Sequence, residues 1–307
     1  MRDLGSLVRG AHKTFPNGIS DRGFVVGQSC ANSCAAFYWN GRLHRIPSAD
    51  AGNATDVNDN GAIVGDGFVF VNHNVIALQS PSRGELDEGR INNDGIVVAT
   101  NFGSTNGAYI ATPQQKYVAQ LIAGITYSDA YGITDRGDVL LQGSVNGSSG
   151  YFVLKSGKFI TVASADSRFT GKAIDNNDDV AGFVLVDPST VFCDAAVYRF
   201  STRAVVKLGP LSDTYPSTRA FAINDDGAVV GGAGAKGSFN EVQHAFYWEP
   251  TLGMVDLNDA VPPSHYDLTM ATGINNRGQI IVIGILPGES EGIDGHALLL
   301  TPASRRS

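Results

Sequence analysis

Ile91-Asn92-Asn93-Asp94-Gly95, followed by the β-branched run Ile96-Val97-Val98, decides the fold because it recurs. The same pattern returns as Ile19-Ser20-Asp21-Arg22-Gly23, Val57-Asn58-Asp59-Asn60-Gly61, Ile133-Thr134-Asp135-Arg136-Gly137, Ile174-Asp175-Asn176-Asn177-Asp178, Ile223-Asn224-Asp225-Asp226-Gly227 and Ile274-Asn275-Asn276-Arg277-Gly278. Seven copies in fixed order mean a solenoid, propeller or array. Each copy reads as a tight hairpin in which an apolar residue ends one strand, short polar residues make the turn and Gly re-enters the next strand. Asn or Asp accepts a hydrogen bond from the backbone two residues on, and Gly supplies positive φ without a Cβ clash. The fifth copy has Asp178 in place of Gly, and Asp tolerates the left-handed region better than most residues.

Working outward from each hairpin, an apolar strand follows the turn, then a variable loop. A third strand comes next, opening on small residues and turning aromatic or aliphatic, as in Ala35-Ala36-Phe37-Tyr38-Trp39, Ala195-Ala196-Val197-Tyr198 and His244-Ala245-Phe246-Tyr247-Trp248. A polar turn leads to a fourth strand, at residues 42–46, 75–78, 158–162, 205–208 and 254–257. The copies are spaced 34 to 51 residues apart, which fits four strands and their turns. The strands are short, rich in Val, Ile, Phe and Tyr, and bounded by Gly and Asn, so almost no helix is expected. The seventh repeat runs out after its third strand, and Met1-Arg2-Asp3-Leu4 matches the fourth strand Met254-Val255-Asp256-Leu257. The expectation is an all-β, single-domain (1–307) seven-bladed β-propeller with four antiparallel strands per blade, its last blade closed by the N-terminal strand. Closure removes the exposed sheet edges.

Composition excludes several classes. With 43% hydrophobic and 17% charged residues the chain has a globular profile. The net charge of −8, without a Lys/Arg cluster, argues against nucleic acid as a partner, since phosphate binding needs a basic stripe. No apolar run reaches the 18 or so residues of a membrane helix, so no membrane insertion is expected, and the N-terminal residues lack the apolar core of a signal peptide. Cys30 and Cys34 lie four apart in one loop and Cys193 lies far away. Either a Cys30–Cys34 disulfide forms, which suits an oxidising compartment, or all three thiols are unpaired.

At this point the residues resemble the bacterial extracellular HAF repeats, named after a His-Ala-Phe signature. The resemblance is carried by Met1-Arg2-Asp3-Leu4-Gly5-Ser6-Leu7, Gly18-Ile19-Ser20-Asp21-Arg22-Gly23-Phe24-Val25-Val26-Gly27 and His244-Ala245-Phe246-Tyr247-Trp248, and covers nearly the whole chain. Blade 6 is the cleanest copy, and blades 2 to 5 lack the His. The resemblance implies a β-propeller in secreted or periplasmic, envelope-associated bacterial proteins. It implies no general reaction and transfers no catalytic residues.

In such a propeller the loops between second and third strands and those between blades share one face, and function sits in variable loops more than in the repeated frame. The between-blade candidates are His12, Lys13, Arg83, Glu85, Tyr127, Asp129, Arg168, Tyr215, Arg219, His265, Tyr266 and Asp267. Of these, Tyr127, Tyr215 and Tyr266 offer aromatic platforms, Arg83 and Arg219 are further candidate ligand-binding residues, and His265 with Asp267 offers metal or acid–base chemistry. His265 and Asp267 would work with Glu289, Glu291 or Asp294 if they act chemically, and otherwise belong to a solvated loop. His244 and His296 occupy equivalent repeat positions, which points to a structural hydrogen bond across adjoining blades. Asp56-Val57-Asn58-Asp59-Asn60-Gly61 opens like a calcium loop but lacks the distal Glu, and turn chemistry explains every copy without a metal. No cofactor is implied: the chain has no nucleophile elbow, Walker loop, zinc cluster or kinase signature, and the glycine-rich residues 231–237 open no helix. The functional expectation is a non-catalytic recognition or scaffold propeller binding a protein, peptide or glycan on its loop-rich face. The alternative is an enzyme, a lyase, hydrolase or cyclase, with its site at the channel mouth.

Overall fold

The computed structural model describes residues 1–8, 13–47, 52–80, 86–102, 107–164, 167–189, 191–235, 243–290 and 294–303. The chain opens with β1 (Arg2–Asp3) and then runs through six complete blades. Blade 1 is β2 (Thr14–Ile19), β3 (Val25–Cys30), β4 (Cys34–Trp39) and β5 (Leu43–Arg45), and blade 2 is β6 (Ala54–Val57), β7 (Ile63–Gly65), β8 (Phe68–Val71) and β9 (Asn74–Ala77). Blade 3 is β10 (Leu86–Ile91), β11 (Val97–Asn101), β12 (Gly107–Ala111) and β13 (Gln120–Leu121), and blade 4 is β14 (Thr126–Ile133), β15 (Val139–Val145), β16 (Ser148–Lys155) and β17 (Lys158–Ser164). Blade 5 is β18 (Phe169–Ile174), β19 (Val180–Asp187), β20 (Phe192–Arg199) and β21 (Ala204–Lys207), and blade 6 is β22 (Ser217–Ile223), β23 (Val229–Gly234), β24 (His244–Glu249) and β25 (Gly253–Asp256). Blade 7 holds β26 (Asp267–Ile274), β27 (Ile280–Ile285) and β28 (His296–Leu300), and β1 supplies its fourth strand, in the order β26-β27-β28-β1.

All seven sheets are antiparallel, and the first strand of each blade touches the first strands of both neighbouring blades, so these strands surround the axis. Closure follows the register expected from the repeat: Arg2 pairs with Leu299 and Asp3 with Leu298, and Leu4 N donates to Ala297 O at 2.9 Å. The inner strands approach closely enough to exclude a side chain in places. A Cβ on Gly18 of β2 would lie 2.9 Å from Asp56 Cα of β6.

A sheet apolar on both faces must cover both, so the core is divided among the blade interfaces. One apolar cluster fills each interface. Leu4, Val25, Phe37, Trp39, Ile281, Ala297 and Leu299 join blades 7 and 1, and the six others follow in turn round the ring. Helix is confined to one 3₁₀ turn (Pro113–Gln115) and one α-helical turn, α1 (Leu257–Ala260), among the described residues. The 3₁₀ turn precedes β13 and leaves blade 3 a fourth strand of only two residues.

The repeated turn does more than reverse the chain. Its closing Gly residues adopt φ between +69° and +83°, and Asp178 takes the same conformation at +65°. The residue after the motif's aliphatic position caps its own turn: Asn58 Oδ1 accepts from Asn60 N at 3.0 Å and Ala62 N at 2.9 Å. Where that residue is Asn, Nδ2 also donates to the equivalent carbonyl of the next blade, Asn58 to Asn92 O (2.9 Å), Asn92 to Thr134 O (3.1 Å), Asn224 to Asn275 O (3.1 Å) and Asn275 to Ser20 O (2.9 Å). These bonds are buried, so one Asn satisfies two turns at once. Asn275→Ala is therefore expected to lower the unfolding free energy by about 2 kcal/mol, measured by urea denaturation, because it strands buried partners in blades 7 and 1. A loss below about 0.5 kcal/mol would show that water replaces the bond.

The histidines at equivalent repeat positions hydrogen-bond carboxylates of their own blades, where the expectation was a bond across adjoining blades. His244 Nδ1 lies 2.5 Å from Asp256 Oδ2 in blade 6, and His296 Nε2 lies 3.1 Å from Glu289 Oε1 in blade 7. The third and fourth strands of one sheet sit side by side, so the nearest carboxylate to His244 is Asp256, which also caps α1. Asp56 is half-buried and spends both oxygens on backbone amides, Val57 N at 2.9 Å and Ile91 N at 3.0 Å, where a calcium loop would aim it at an ion.

Candidate functional site

The axial channel is layered. At the end formed by the repeated turns, the third motif residues close a ring in the order Asp21, Asp59, Asn93, Asp135, Asn176, Asp225, Asn276. Each Asn donates to a carboxylate on either side: Asn93 Nδ2 to Asp59 and Asp135 (3.2 and 3.1 Å), Asn176 to Asp135 and Asp225 (3.2 and 3.0 Å), Asn276 to Asp225 and Asp21 (2.8 and 2.9 Å). Strict alternation fails once because seven is odd, and Asp21 stands beside Asp59. Above the ring the motif's first residues, from Ile19 to Ile274, form an aliphatic collar.

Beyond the collar lies a chamber of about 180 Å³ walled by Asn17, Asp56, Arg90, Tyr131, Lys172, Phe221 and Thr272. Five of these seven residues sit on first strands two residues before the motif's aliphatic position. Strand alternation turns that position to the same side as the collar. Lys172 Nζ lies 5.4 Å from the centre of the Tyr131 ring. Burial lowers the Lys172 ammonium below its ordinary range, Arg219 and Arg90 push in the same direction, and Glu88 opposes them. Burial raises the Asp129 carboxyl, with Glu88 adding to the shift. Burial also raises the Tyr131 hydroxyl, helped by Tyr151 and Asp129.

The opposite end carries the variable loops. A cleft of about 520 Å³ opens there between blades 4 and 5, at the starts of β14, β16 and β18 and the ends of β15 and β17. Tyr127, Tyr151 and Phe169 give it aromatic walls, Gln142, Ser144, Ser149 and Thr170 give it neutral hydrogen-bonding groups, and Arg168 is its one charged residue among the described residues. Tyr131 Oη and Tyr151 Oη both donate to Gln142 Oε1, at 3.1 and 3.2 Å, so this amide forms a wall shared by chamber and cleft. Three residues at this end of successive blades, Glu88, Tyr127 and Arg168, hold positive φ of 54°, 50° and 56° without being Gly. Glu88 and Tyr127 sit in breaks of strand register, the kind of bulge that re-aims a side chain, and such strain concentrates at ligand sites.

Of the candidates named from sequence, Tyr127 is 80% exposed at the lip of the cleft. Asp129 and Arg168 lie in the same sector. Tyr215 and Tyr266 are not free platforms. Tyr215 stacks on His244 with ring centres 4.0 Å apart, and Tyr266 packs on His296 at 5.1 Å while its hydroxyl donates to Asp3 Oδ2 at 2.7 Å. Arg219 lies over the Phe183 ring, 5.4 Å from its centre. His265 and Asp267 are exposed, and Glu289, proposed as their partner, binds His296 while Asp294 accepts from Ser290 N at 3.0 Å. Arg83, His12, Glu85 and Glu291 lie outside the described residues, as do residues 236–242 of the glycine-rich loop. Among the described residues no group of three His, Cys, Asp or Glu side chains could hold a metal ion, and no helix is long and apolar enough to cross a membrane. Lys172, Tyr131, Arg90, Gln142 and Tyr151 are absent from the sequence candidates because they lie within strands, whereas those candidates are read from the segments between blades. The alternation from the motif's Ile would have found Lys172 and Tyr131.

The chain is a seven-bladed β-propeller closed by its N-terminal strand. No family model and no curated protein matches it. Solved structures do, among them a Mycobacterium tuberculosis puromycin-hydrolyzing peptidase, 12% identical with a TM-score of 0.60 over 97% of this chain and 54% of that one. A catalytically inactive virginiamycin B lyase from Staphylococcus aureus is 13% identical with a TM-score of 0.57 over 97% and 99% of the two chains. The β-propeller domain of the Trilobed protease from Pyrococcus furiosus, described as having an open velcro topology, is 11% identical with a TM-score of 0.54 over 93% and 95%. The chain spans about half the length of the peptidase. At these identities the likeness is one of fold alone.

Proposed function

We propose that this propeller is a recognition module that acts outside the cytoplasm and binds a carbohydrate in the cleft between blades 4 and 5. The observation that carries the reading is Tyr127, held exposed in a left-handed backbone at the lip of a cleft lined by aromatic rings and neutral hydroxyl and amide groups. A sugar presents an apolar C–H face to an aromatic ring and hydroxyls to Ser, Thr and Gln, which matches this lining. Arg168 fits a ligand bearing a carboxylate. The placement is supported by the Cys30–Cys34 disulfide across the β3–β4 hairpin and by the resemblance to HAF repeats. Cys193 is buried and unpaired in a disulfide.

The test is a glycan array followed by calorimetry on the strongest hits. Tyr127→Ala is expected to weaken binding at least about tenfold, the size of effect expected for an aromatic anchor. Equal affinity in the variant, or an array with no hits, would overturn the reading. The enzyme alternative rests on Asp129 and Tyr131 beside Lys172, and mass spectrometry of the bound glycan after incubation separates it from simple binding by showing cleaved or eliminated product.

A further inference from the structure

We propose that the axial chamber, apart from the carbohydrate cleft, binds a small carboxylate whose cationic contacts are Lys172 Nζ and the Arg90 guanidinium. The argument starts from which polar groups of the chamber are already engaged. Both oxygens of Asp56 accept backbone N–H groups, Asn17 Nδ2 donates to Asn53 Oδ1 (2.7 Å) and Ala54 O (2.9 Å), and Thr272 Oγ1 donates to Pro16 O (2.8 Å). Arg90 commits Nη1 to Glu88 O and Gly89 O at 3.2 and 3.0 Å, which leaves further N–H groups of its fork. Lys172 differs. Among the described residues no hydrogen-bond acceptor or carboxylate reaches its Nζ, which lies over the face of the Tyr131 ring.

A partly buried ammonium without a protein acceptor has given up part of its hydration and gained a ring face, so an anion in the chamber would supply a partner. The charges around it select the anion. Arg90 and Arg219 add positive potential at Lys172, and Glu88 offsets part of it. Carboxylates at Asp56 in the wall and at Asp129 beside Tyr131 repel a dianion about twice as strongly as a monoanion, which favours the single charge. The rings of Tyr131 and Phe221 provide an apolar flank, and the aliphatic collar closes the far end. A volume of about 180 Å³ admits a small molecule such as benzoate but no oligosaccharide.

The experiment is calorimetric titration of the whole chain with acetate, benzoate and inorganic phosphate, on the wild type, Lys172→Met and Lys172→Arg. Benzoate is expected to bind with a Kd of about 1 mM, at least about tenfold weaker in Lys172→Met and within a few-fold in Lys172→Arg. A Lys172→Met variant that binds equally well, phosphate binding in preference to the carboxylates, or no saturable binding would each overturn the proposal. A second measurement needs no variant. Reductive methylation followed by peptide mass mapping should modify Lys172, and benzoate should slow that site several-fold while leaving exposed Lys158 unchanged. Unaltered labelling of Lys172 at saturating benzoate would also defeat it. Carbohydrate binding in the cleft is read separately by Tyr127→Ala, so failure of one proposal leaves the other standing.

Discussion

Leu4→Asp is expected to lower the unfolding free energy by about 5 kcal/mol and to abolish closure of the ring. Leu4 is 5% exposed and packs in the cluster that joins blades 7 and 1. Truncating a buried Leu to Ala costs about 2–5 kcal/mol, and Asp adds an unpaired charge among Val25, Phe37 and Leu299, which places the loss at the upper end of that range. Domains are stable by only about 5–15 kcal/mol, so the loss removes from about a third to all of the original stability. Detaching the N-terminal strand also frees the outer edge of β28, an open template for pairing with another chain. Urea denaturation and hydrogen exchange at Ala297–Leu300 would measure both effects. Met1→Asp, at a side chain that is 44% exposed, is the control and should change stability by less than about 0.5 kcal/mol. Native exchange protection of β28 in Leu4→Asp would show that β1 is dispensable.

Asp175→Asn is expected to act in the opposite direction and to stabilise the protein by up to about 3 kcal/mol at pH 7. Asp175 occupies the turn position where Asn58, Asn92, Asn224 and Asn275 reach the next blade. Its Oδ1 accepts from Asn177 N at 2.8 Å and Asp179 N at 2.9 Å, bonds that an Asn carbonyl oxygen makes equally well. Burial raises its pKa to about 6, with the neighbouring Asp179 charge adding to the shift and the amide bonds opposing it. An unfolded Asp titrates near ~3.9, so between about pH 4 and pH 6 the folded state holds more protons than the unfolded state. Stability contributed at this site is present below pH 4, falls as pH rises, and is fully lost above pH 6. A shift of about two pKa units corresponds to roughly 3 kcal/mol. Asn removes the ionisation and, as in the other copies, turns an amide donor towards Asn224 O of the next blade, in exchange for the bond that Asp175 Oδ2 accepts from Asn177 Nδ2 at 3.3 Å. The stability difference between variant and wild type should therefore grow from pH 4 to pH 6 and level off. A difference that is flat with pH, or a variant less stable at pH 7, would count against the assignment.

Much of this architecture was legible in the chain because the repeat writes it seven times. The aliphatic residue, the polar pair and the Gly fix a hairpin by local physics alone. Asn at the second position must hydrogen-bond to its own backbone, and Gly must take positive φ, wherever the segment is placed. The spacing of the hairpins then fixes four strands per blade, and the match of residues 1–4 to residues 254–257 fixed the closure. Blade 3 was the hardest to read, because its fourth strand is two residues long and follows a 3₁₀ turn.

The site was legible only in part. Of the between-blade residues named from sequence, Tyr127 and Arg168 line the cleft between blades 4 and 5. Tyr215 and Tyr266 looked equally available in sequence. Their rings are spent on His244 and His296, because the between-blade segment folds back over the third strand of its own sheet. His265 stands next to Tyr266 yet points to solvent, a difference of one residue that no composition reveals.

The sequence alone determined what depends on near neighbours: the turns, the strands, the blade count and the strand that closes the ring. The tertiary structure alone decided what depends on residues from several blades converging on one axis. The alternating ring of Asp and Asn, the pairing of Gln142 with two tyrosines and the contact of the Lys172 ammonium with the Tyr131 ring each join groups from 9 to 51 residues apart, or in the closing step 255. Burial and hydrogen bonding at such places are properties of the assembled channel, since a charge acquires its neighbours and loses its water only when the seventh blade meets the first.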